Sequence, residues 1–299
     1  MKKKFTFVVA TPSLNQGRYL SQTIKSVWMQ KGDFLIKHVV ADGGSTDNSV
    51  DILKQYQTDL KKNKFKICCL GILFDWKSKK DKGQTSAIAE VFKSCSGDIY
   101  CWLNSDDYLK SDNIFATVKN IFEQQKPNII TGDAIYVKPN GVVIGRHYSA
   151  TILKNEGFVN EKNLKLLEQF DIFSQPSTFF DKSIAKENRL DEEFFYCMDW
   201  DLWLRAMRNH ATFYKINRVL SCMRRHSESK TNKFGEKYFR EKNIFYSKHK
   251  LYNINFVYSF LKLRYLSTNN KVVRFLIMII IRILKKIKKT FWGSKTIVG

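Results

Sequence analysis

The 299-residue chain predicts an α/β fold: a mixed, mostly parallel central sheet with helices on both sides, followed by a basic helical extension. Three observations carry this. Short β-branched and aromatic runs alternate with amphipathic stretches along residues 5–124. These runs end abruptly in polar loops, most sharply where Ile99-Tyr100-Cys101-Trp102-Leu103 meets Asn104-Ser105-Asp106-Asp107. Charge is uneven: of a net +23, 17 Lys and Arg against two acids lie from Lys230 onward, a net +15 in the last quarter.

Phe5–Ala10 reads as the first strand, and Thr11-Pro12-Ser13-Leu14-Asn15 is the polar loop at its carboxyl end. Tyr19–Gln30 places Leu20, Ile24, Val27 and Trp28 at helical spacing, with Lys31-Gly32 as the stop. His38–Ala41 is a second strand ending in Asp42-Gly43-Gly44-Ser45-Thr46-Asp47. Its glycines let backbone approach a ligand, and Ser45 or Thr46 can cap a helix running to about Tyr56. Repetition of strand, polar loop and helix makes the sheet mostly parallel.

Phe65–Leu73 reads as a strand, 77–83 as a charged loop and Thr85–Ser94 as a helix. The run at 99–103 is a buried strand, followed by a helix over 113–124. Pro139-Asn140-Gly141 between Asn128–Val137 and Val142–Gly145 signals a hairpin, where the sheet turns mixed. Beyond it the expected elements are a short helix at 163–170, a strand at Gln175–Phe180, a helix capped by Asp199, and strands at Ala211–Ile216 and Val219–Met223. Arg224-Arg225-His226 follows directly.

An apolar share of 43% allows an ordinary core, and the length allows one large domain with an appendage. The division predicted is 1–229 for a catalytic domain and 230–299 for the extension. Six cysteines without a CxxC pair or zinc spacing read as reduced thiols. The N-terminal stretch lacks the long apolar region of a signal peptide, and no GxGxxG follows the first strand, which disfavours a dehydrogenase.

Strand-end loops at the carboxyl edge of an open α/β sheet are where such folds bind ligands. Two adjacent carboxylates there repel each other and lose hydration. A divalent cation carrying phosphates would offset both costs. Hard oxygen ligands suit Mg²⁺ or Mn²⁺, and the chain offers no better soft site.

Five motifs then stand in order: Thr11-Pro12-Ser13-Leu14-Asn15, Asp42-Gly43-Gly44-Ser45-Thr46-Asp47, Asp81-Lys82-Gly83-Gln84, Asn104-Ser105-Asp106-Asp107 and Asp199-Trp200-Asp201-Leu202-Trp203-Leu204-Arg205. Together, across about residues 5–226, they resemble the family-2 glycosyltransferases of the GT-A fold. The resemblance implies inverting transfer of a hexose-type sugar from a nucleotide donor, most simply a UDP-sugar, to a glycan or lipid-linked acceptor, with Mn²⁺ or Mg²⁺. It implies that Thr11, Pro12, Asn15, Asp42 and Gly43 form the nucleotide pocket, with Asp42 accepting the uracil N3–H. Asp81, Lys82 and Gln84 would be further donor contacts, Asp106 would face the ribose or donor sugar, and Asp107 would ligate the metal. His226 matches a position that in some relatives completes the metal site; a packed histidine is the plain alternative.

Asp199 matches the catalytic base and Asp201 is its rival. Trp200 and Trp203 could stack on an acceptor sugar, or pack in the core, and Gln175 lies in an acceptor-side Gln-Pro-Ser element. Where relatives carry Asp, Asn and Gly in the helix after Gly-Gln, this chain has Ser86, Ala89 and Val91, a departure that bears on the donor sugar.

Within the extension, Val272–Ile287 is aliphatic but interrupted by Arg274, Arg282, Lys285 and Lys286. Its longest uninterrupted run, Phe275–Ile281, is far short of the roughly 20 residues that span a bilayer. Flanking cations and Phe291-Trp292 suit a helix lying in an anionic membrane interface, peripheral at the cytoplasmic face; packing on the catalytic domain or a dimer contact are the alternatives. Because the positive charge accompanies an aliphatic stripe rather than polar loops, no nucleic-acid partner is expected. A non-catalytic nucleotide-binding module is the remaining alternative.

Overall fold

Side-chain alternation along β1 (Thr6–Ser13) shows how the sheet is built: every residue is buried, Phe7 and Val9 on one face, Val8 and Ala10 on the other. The computed structural model describes residues 4–147, 149–169, 171–187, 189–230, 235–251, 272–273 and 275–280. They fall in two compact units, Met1–Phe234 and Gly235–Gly299.

The first unit continues with α1 (Gly17–Trp28), β2 (Leu35–Asp42), α2 (Ser49–Lys61), β3 (Gly71–Ser78), α3 (Gln84–Ser94), β4 (Ile99–Trp102) and β5 (Tyr108–Leu109). Then come α4 (Ile114–Gln125), β6 (Ile129–Val137), β7 (Val143–Arg146), α5 (Ser149–Ile152), β8 (Gly157–Phe158) and α6 (Glu161–Leu164). It closes with β9 (Thr178–Asp181), α7 (Lys182–Glu187), α8 (Met198–Arg208) and β10 (Phe213–Arg224). The sheet order is β3-β2-β1-β4-β9-β6-β10-β5, with β7 on β6 and β8 on β10. β3, β2, β1 and β4 are parallel; β9 runs antiparallel to both β4 and β6. The fold is thus the mixed, mostly parallel α/β sheet that the pattern predicts.

Helices cover both faces. On one, Leu20, Ile24 and Val27 of α1, Leu53 of α2 and Phe115 and Val118 of α4 close on Phe7, Val9 and Ile36. Phe7 stacks on Phe115 at 4.4 Å. On the other, Phe92 of α3 meets Tyr100, Trp102 and Phe180, and Trp102 stacks on Trp203 of α8 at 5.8 Å. Each such fully buried side chain contributes roughly 1.5–3 kcal/mol. Trp203 is therefore core.

Several elements differ from expectation: the helix expected at 163–170 is α6 with a 3-10 turn at Lys165–Glu168, and the helix expected to be capped by Asp199 already starts at Met198. The third strand lies at 71–78 rather than 65–73, because Phe65 instead packs on Trp28 and Tyr56. Gln175–Ser177 forms a 3-10 turn before β9, with Pro176 within it. The two strands expected at 211–223 are one, β10, with irregular register against β6 between Lys215 and Ser221.

Register brings the loops together. Ser13 pairs with Asp42 and Asp42 with Ser78, so β1, β2 and β3 end level; Ala10 pairs with Trp102 of β4. The loops after all four strands therefore open at one edge.

In the second unit, α9 (Glu236–Lys248) buries Phe245 and Tyr246. Residues 272–273 and 275–280 are helical, with Val272, Phe275, Leu276, Ile279 and Ile280 exposed. Among the described residues no helix is long and apolar enough to cross a membrane. The segments at 256–266 and 281–287 and Phe291-Trp292 lie outside the described residues.

His38 of β2 is fully buried beneath this edge. Its Nδ1 accepts from Trp28 Nε1 at 3.2 Å, and Nε2 lies 2.9 Å from Thr11 Oγ1. Burial depresses its pKa from 6.5 to about 3. Between those values the unfolded chain binds a proton that the folded chain refuses. Stability is therefore complete above about pH 6.5 and is lost as pH falls toward 3. Chemical denaturation should show a loss of about 2 kcal/mol from this group between pH 7 and 5. His147 shifts the same way, to about 4, through burial and then the Arg225 charge. His38→Gln should remove about half of the slope; an unchanged slope would contradict the assignment.

Candidate active site

A cavity of about 520 Å³ opens at the level edge, within the range of small-molecule sites. Pro12 enters it from the end of β1 and Asn15 from the loop that follows, Gly43 from the loop after β2, Asp81 from the loop before α3 and Gln84 from its first residue, and Asp106 from the loop after β4. These six expected donor contacts are thus together.

Each loop is held by its own chemistry. Asn15 adopts φ +53°, which Asn tolerates, and its Oδ1 accepts from Thr46 N at 2.8 Å. Gly43 lies so close to Asp81 that an added Cβ would sit 3.3 Å from Oδ2. Asp81 Oδ1 accepts from Gly83 N at 2.8 Å, fixing the entry to α3.

Other expected residues do not face the cavity. Asp42 is 2% exposed, and its Oδ2 accepts from Gly44 N (3.1 Å), Ser45 N (2.9 Å) and Ser78 Oγ (2.6 Å). It ties the ends of β2 and β3 and does not line the cavity. Thr11 is buried on His38, and Lys82 is exposed outside the cavity lining.

The two adjacent carboxylates part company. Asp107 turns inward, 5% exposed; its Oδ1 accepts from Arg224 N at 2.9 Å and Oδ2 lies 3.4 Å from Asn104 Nδ2. Burial, then the Asp106 charge, pushes its carboxyl well above the usual range, opposed by the Arg224 N–H and the Asn104 amide. Asp106 faces the cavity, its Oδ2 3.0 Å from His226 Nε2. Of the two, Asp106 faces the cavity, whereas Asp107, the expected metal ligand, is buried outside its lining.

Asp106 and His226 offer one carboxylate oxygen and one imidazole nitrogen side by side. Among the described residues no group of three His, Cys, Asp or Glu gathers. Such a pair fits a hard or borderline divalent cation whose remaining positions are filled by phosphate and water.

Two side chains clamp this loop. Thr23 Oγ1 of α1 is shared between Ser105 O (2.9 Å) and Asp107 O (2.7 Å). Arg224, 4% exposed, donates Nε to Asp106 O (2.9 Å), Nη1 to Pro139 O (2.9 Å) and Nη2 to Gln22 Oε1 (2.6 Å). Its guanidinium lies 4.5 Å from the Tyr19 ring centroid.

A row of amides forms the inner wall. Lys230 Nζ donates to Gln84 Oε1 (2.9 Å), and Gln84 Nε2 to Asn104 Oδ1 (2.7 Å). Asn104 Nδ2 donates to Gln175 Oε1 (3.4 Å), and Gln175 Nε2 to Trp102 O (2.7 Å). Gln175 is thus a buried buttress of the Asn104 loop rather than an acceptor contact. Sequence reasoning missed Lys230, Phe195 and Tyr196, which line the cavity; Lys230 Nζ lies 3.7 Å from the Phe195 ring centroid.

The start of α8 is pinned beside Gln84, because Thr85 Oγ1 donates to Phe194 O at 2.6 Å and meets Met198 Sδ at 3.0 Å. Cys197 is the N-cap, and Asp199 lies in the first turn, partly exposed, with its Oδ1 accepting from Trp200 N at 2.9 Å. Its rivals are structural. Asp201 is fully buried, and its Oδ2 takes Arg205 Nε and Nη2 at 2.9 and 2.7 Å. Trp200 is buried and donates Nε1 to Leu167 O at 2.6 Å, so it offers no platform to an acceptor.

Residues 8–189 match the family model described as Glycosyl transferase family 2. The chain belongs to glycosyl transferase family 2. The match takes in the loops at 11–15, 42–47, 81–84 and 104–107 and stops short of Asp199 and His226.

A protein of Methanocaldococcus jannaschii named as an uncharacterized glycosyltransferase is 20% identical over 74% of this chain and 70% of its own. Staphylococcus aureus TarS (residues 1–349), in complex with UDP-GlcNAc, superposes with a TM-score of 0.62 at 16% identity, covering 80% of this chain and 65% of that one. The Pyrobaculum calidifontis mannosyltransferase PcManGT, in complex with GDP-Man and Mn²⁺, gives 0.52 at 10% identity, over 81% and 61%. Against the longer TarS chain, the match covers only 37% of that protein. The shared fold is GT-A.

Proposed function

We propose that this family-2 enzyme transfers a hexosyl group, with inversion, from a UDP-sugar to a glycan or lipid-linked acceptor in cell-surface polysaccharide synthesis. The observation that carries this is Asp106 on the wall of a nucleotide-sized cavity at the carboxyl edge of the sheet, with His226 Nε2 3.0 Å from its carboxylate. The UDP-GlcNAc complex of TarS and the GDP-Man and Mn²⁺ complex of PcManGT support a nucleotide-sugar donor and a divalent metal.

Pro12, Asn15 and Gly43 would hold the nucleoside. Asp81, the carboxylate that the cavity presents beside Gly43, replaces Asp42 as acceptor for a pyrimidine N3–H. Asp106 and His226 would hold Mn²⁺ or Mg²⁺, which supplies positive charge against the leaving diphosphate. Lys230, through its ammonium, adds charge at the same end. Asp199 takes the proton of the acceptor hydroxyl as that oxygen attacks the anomeric carbon. The new glycosidic bond forms on the face opposite the breaking C–O bond, whose electron pair leaves with UDP. The basic extension would keep the enzyme peripheral at the cytoplasmic face of the membrane.

A thermal-shift screen of nucleoside diphosphates tests the reading. UDP with Mn²⁺ should raise the midpoint by mass action, about 2.7 kcal/mol of stabilisation at a hundredfold excess over Kd. The shift should disappear on removing Mn²⁺. No shift with any nucleoside diphosphate would refute the donor assignment.

A further inference from the structure

The hairpin of β6 and β7 forms an edge ribbon of the sheet: β7 pairs β6 alone among the described residues, at Ile135–Val137, while those β6 residues pair β10 on their other side. Its turn is closed by two backbone hydrogen bonds, Gly141 N to Lys138 O (2.9 Å) and Lys138 N to Val142 O (2.8 Å), with Gly141 at φ +86°. Val142, Val143 and Ile144 follow, 52%, 53% and 49% exposed. Successive residues of a strand point to opposite faces, so this exposure means that both faces are open at the start of β7, while Ile135 and Val137 of β6 stay buried. Single exposed aliphatics are ordinary, whereas a contiguous patch marks a contact. No other three consecutive large apolar side chains are exposed among the described residues.

Charge identifies the contact. From Ala134 to Asn155 the chain has no Asp or Glu but has Lys138, Arg146 and Lys154, and exposed Lys138 and Arg146 flank the ribbon. Apolar side chains ringed by cations fit the interface of an anionic bilayer, where aliphatic area enters the acyl boundary and cations meet headgroups.

Position gives it a purpose. Arg224 holds Pro139 O of the hairpin turn with Nη1 and Asp106 O with Nε, both at 2.9 Å. The ribbon and the proposed cation site are thus one guanidinium apart.

We propose that the β6–β7 hairpin is a membrane-docking element of the catalytic unit, separate from the C-terminal extension, that sets the Asp106 end of the cavity against an anionic bilayer. It rests on the reading of a membrane-associated transferase and names which part of the catalytic unit meets the lipid.

The test is co-sedimentation of the full chain with phosphatidylcholine vesicles, with and without phosphatidylglycerol, for wild type and for V142S/V143S/I144S. The extension is present in both proteins, so their difference reports the hairpin alone. The triple variant should partition onto phosphatidylglycerol vesicles about tenfold more weakly. Its UDP shift should be that of wild type, because none of the three side chains lines the cavity. Lys138→Glu with Arg146→Glu should weaken the preference for anionic lipid to what the extension alone supplies; it carries the test if the triple variant does not fold. Partitioning of both variants like wild type, or no vesicle binding by wild type, would overturn the proposal. So would a change in oligomeric state with vesicle binding intact, which would assign the ribbon to a second copy of the chain. Loss of vesicle binding alongside absent nucleotide shifts in every protein would uphold the hairpin and sink the donor reading instead.

Discussion

Asp199→Asn is expected to keep the UDP shift and to lower donor turnover by about 10³-fold, within the range a positioned general base contributes. The readout is donor hydrolysis, in which water takes the place of the acceptor hydroxyl. The amide preserves size and can still accept from Trp200 N, so the first turn of α8 remains intact. What it cannot do is take a proton. Asp201→Asn is the matched control. It breaks a buried pair with Arg205, so it should cost about 3 kcal/mol of stability and leave turnover per folded molecule near wild type. Full turnover in Asp199→Asn, or lost turnover in a stable Asp201→Asn, would mean that the base is elsewhere.

Asp106→Ala should remove metal-dependent turnover, a fall of about 10³-fold if several kcal/mol of charge stabilisation is lost. Its UDP shift should no longer respond to Mn²⁺, yet its midpoint without ligand should stay close to wild type, because the side chain lies at the cavity wall. Asp107→Ala should behave differently. It leaves the buried Arg224 N–H without its acceptor, so it should lower stability by about 1–3 kcal/mol. Folded Asp107→Ala should still show an Mn²⁺-dependent shift. If the two variants exchanged these behaviours, Asp107 would be the ligand after all.

Much of the fold is visible in the sequence because local signals agree with the global arrangement. Phe7, Val9, Ile36 and Ile99 carry the strand pattern, and each parallel strand ends in polar residues that mark the sheet edge. The positions of Asn15, Gly43, Asp81 and Asp106 follow from that edge. Non-local choices are another matter. Asp106 and Asp107 look alike along the chain; which one turns inward is decided by Arg224, 117 residues beyond Asp107. Trp200 and Trp203 are three residues apart and share a helix face, so an acceptor platform and a core pair read the same until Leu167 and Trp102 supply the partners. Asp42 looks like a ligand contact because its neighbours are glycines, yet those backbone N–H groups are what it binds. Lys230 begins a long basic stretch, where one more lysine carries no signal.

The amide row from Lys230 to Trp102 also has a direction. At one end stands an ammonium, which can only donate; at the other a carbonyl, which can only accept. Every amide between them is thereby locked into one of its two flips, like arrows laid head to tail. Turning over any one of the three side chains would set donor against donor at one of its contacts. The Asn104 carbonyl oxygen is accordingly aimed at Gln84 and its amide nitrogen at Gln175. The first polar residue of the Asn104-Ser105-Asp106 loop is therefore committed to the wall, and Asp106 is the loop's carboxylate left facing the cavity for a cation. Replacing Lys230 by Met would free the row to reverse, loosening a loop that the lysine reaches through Gln84.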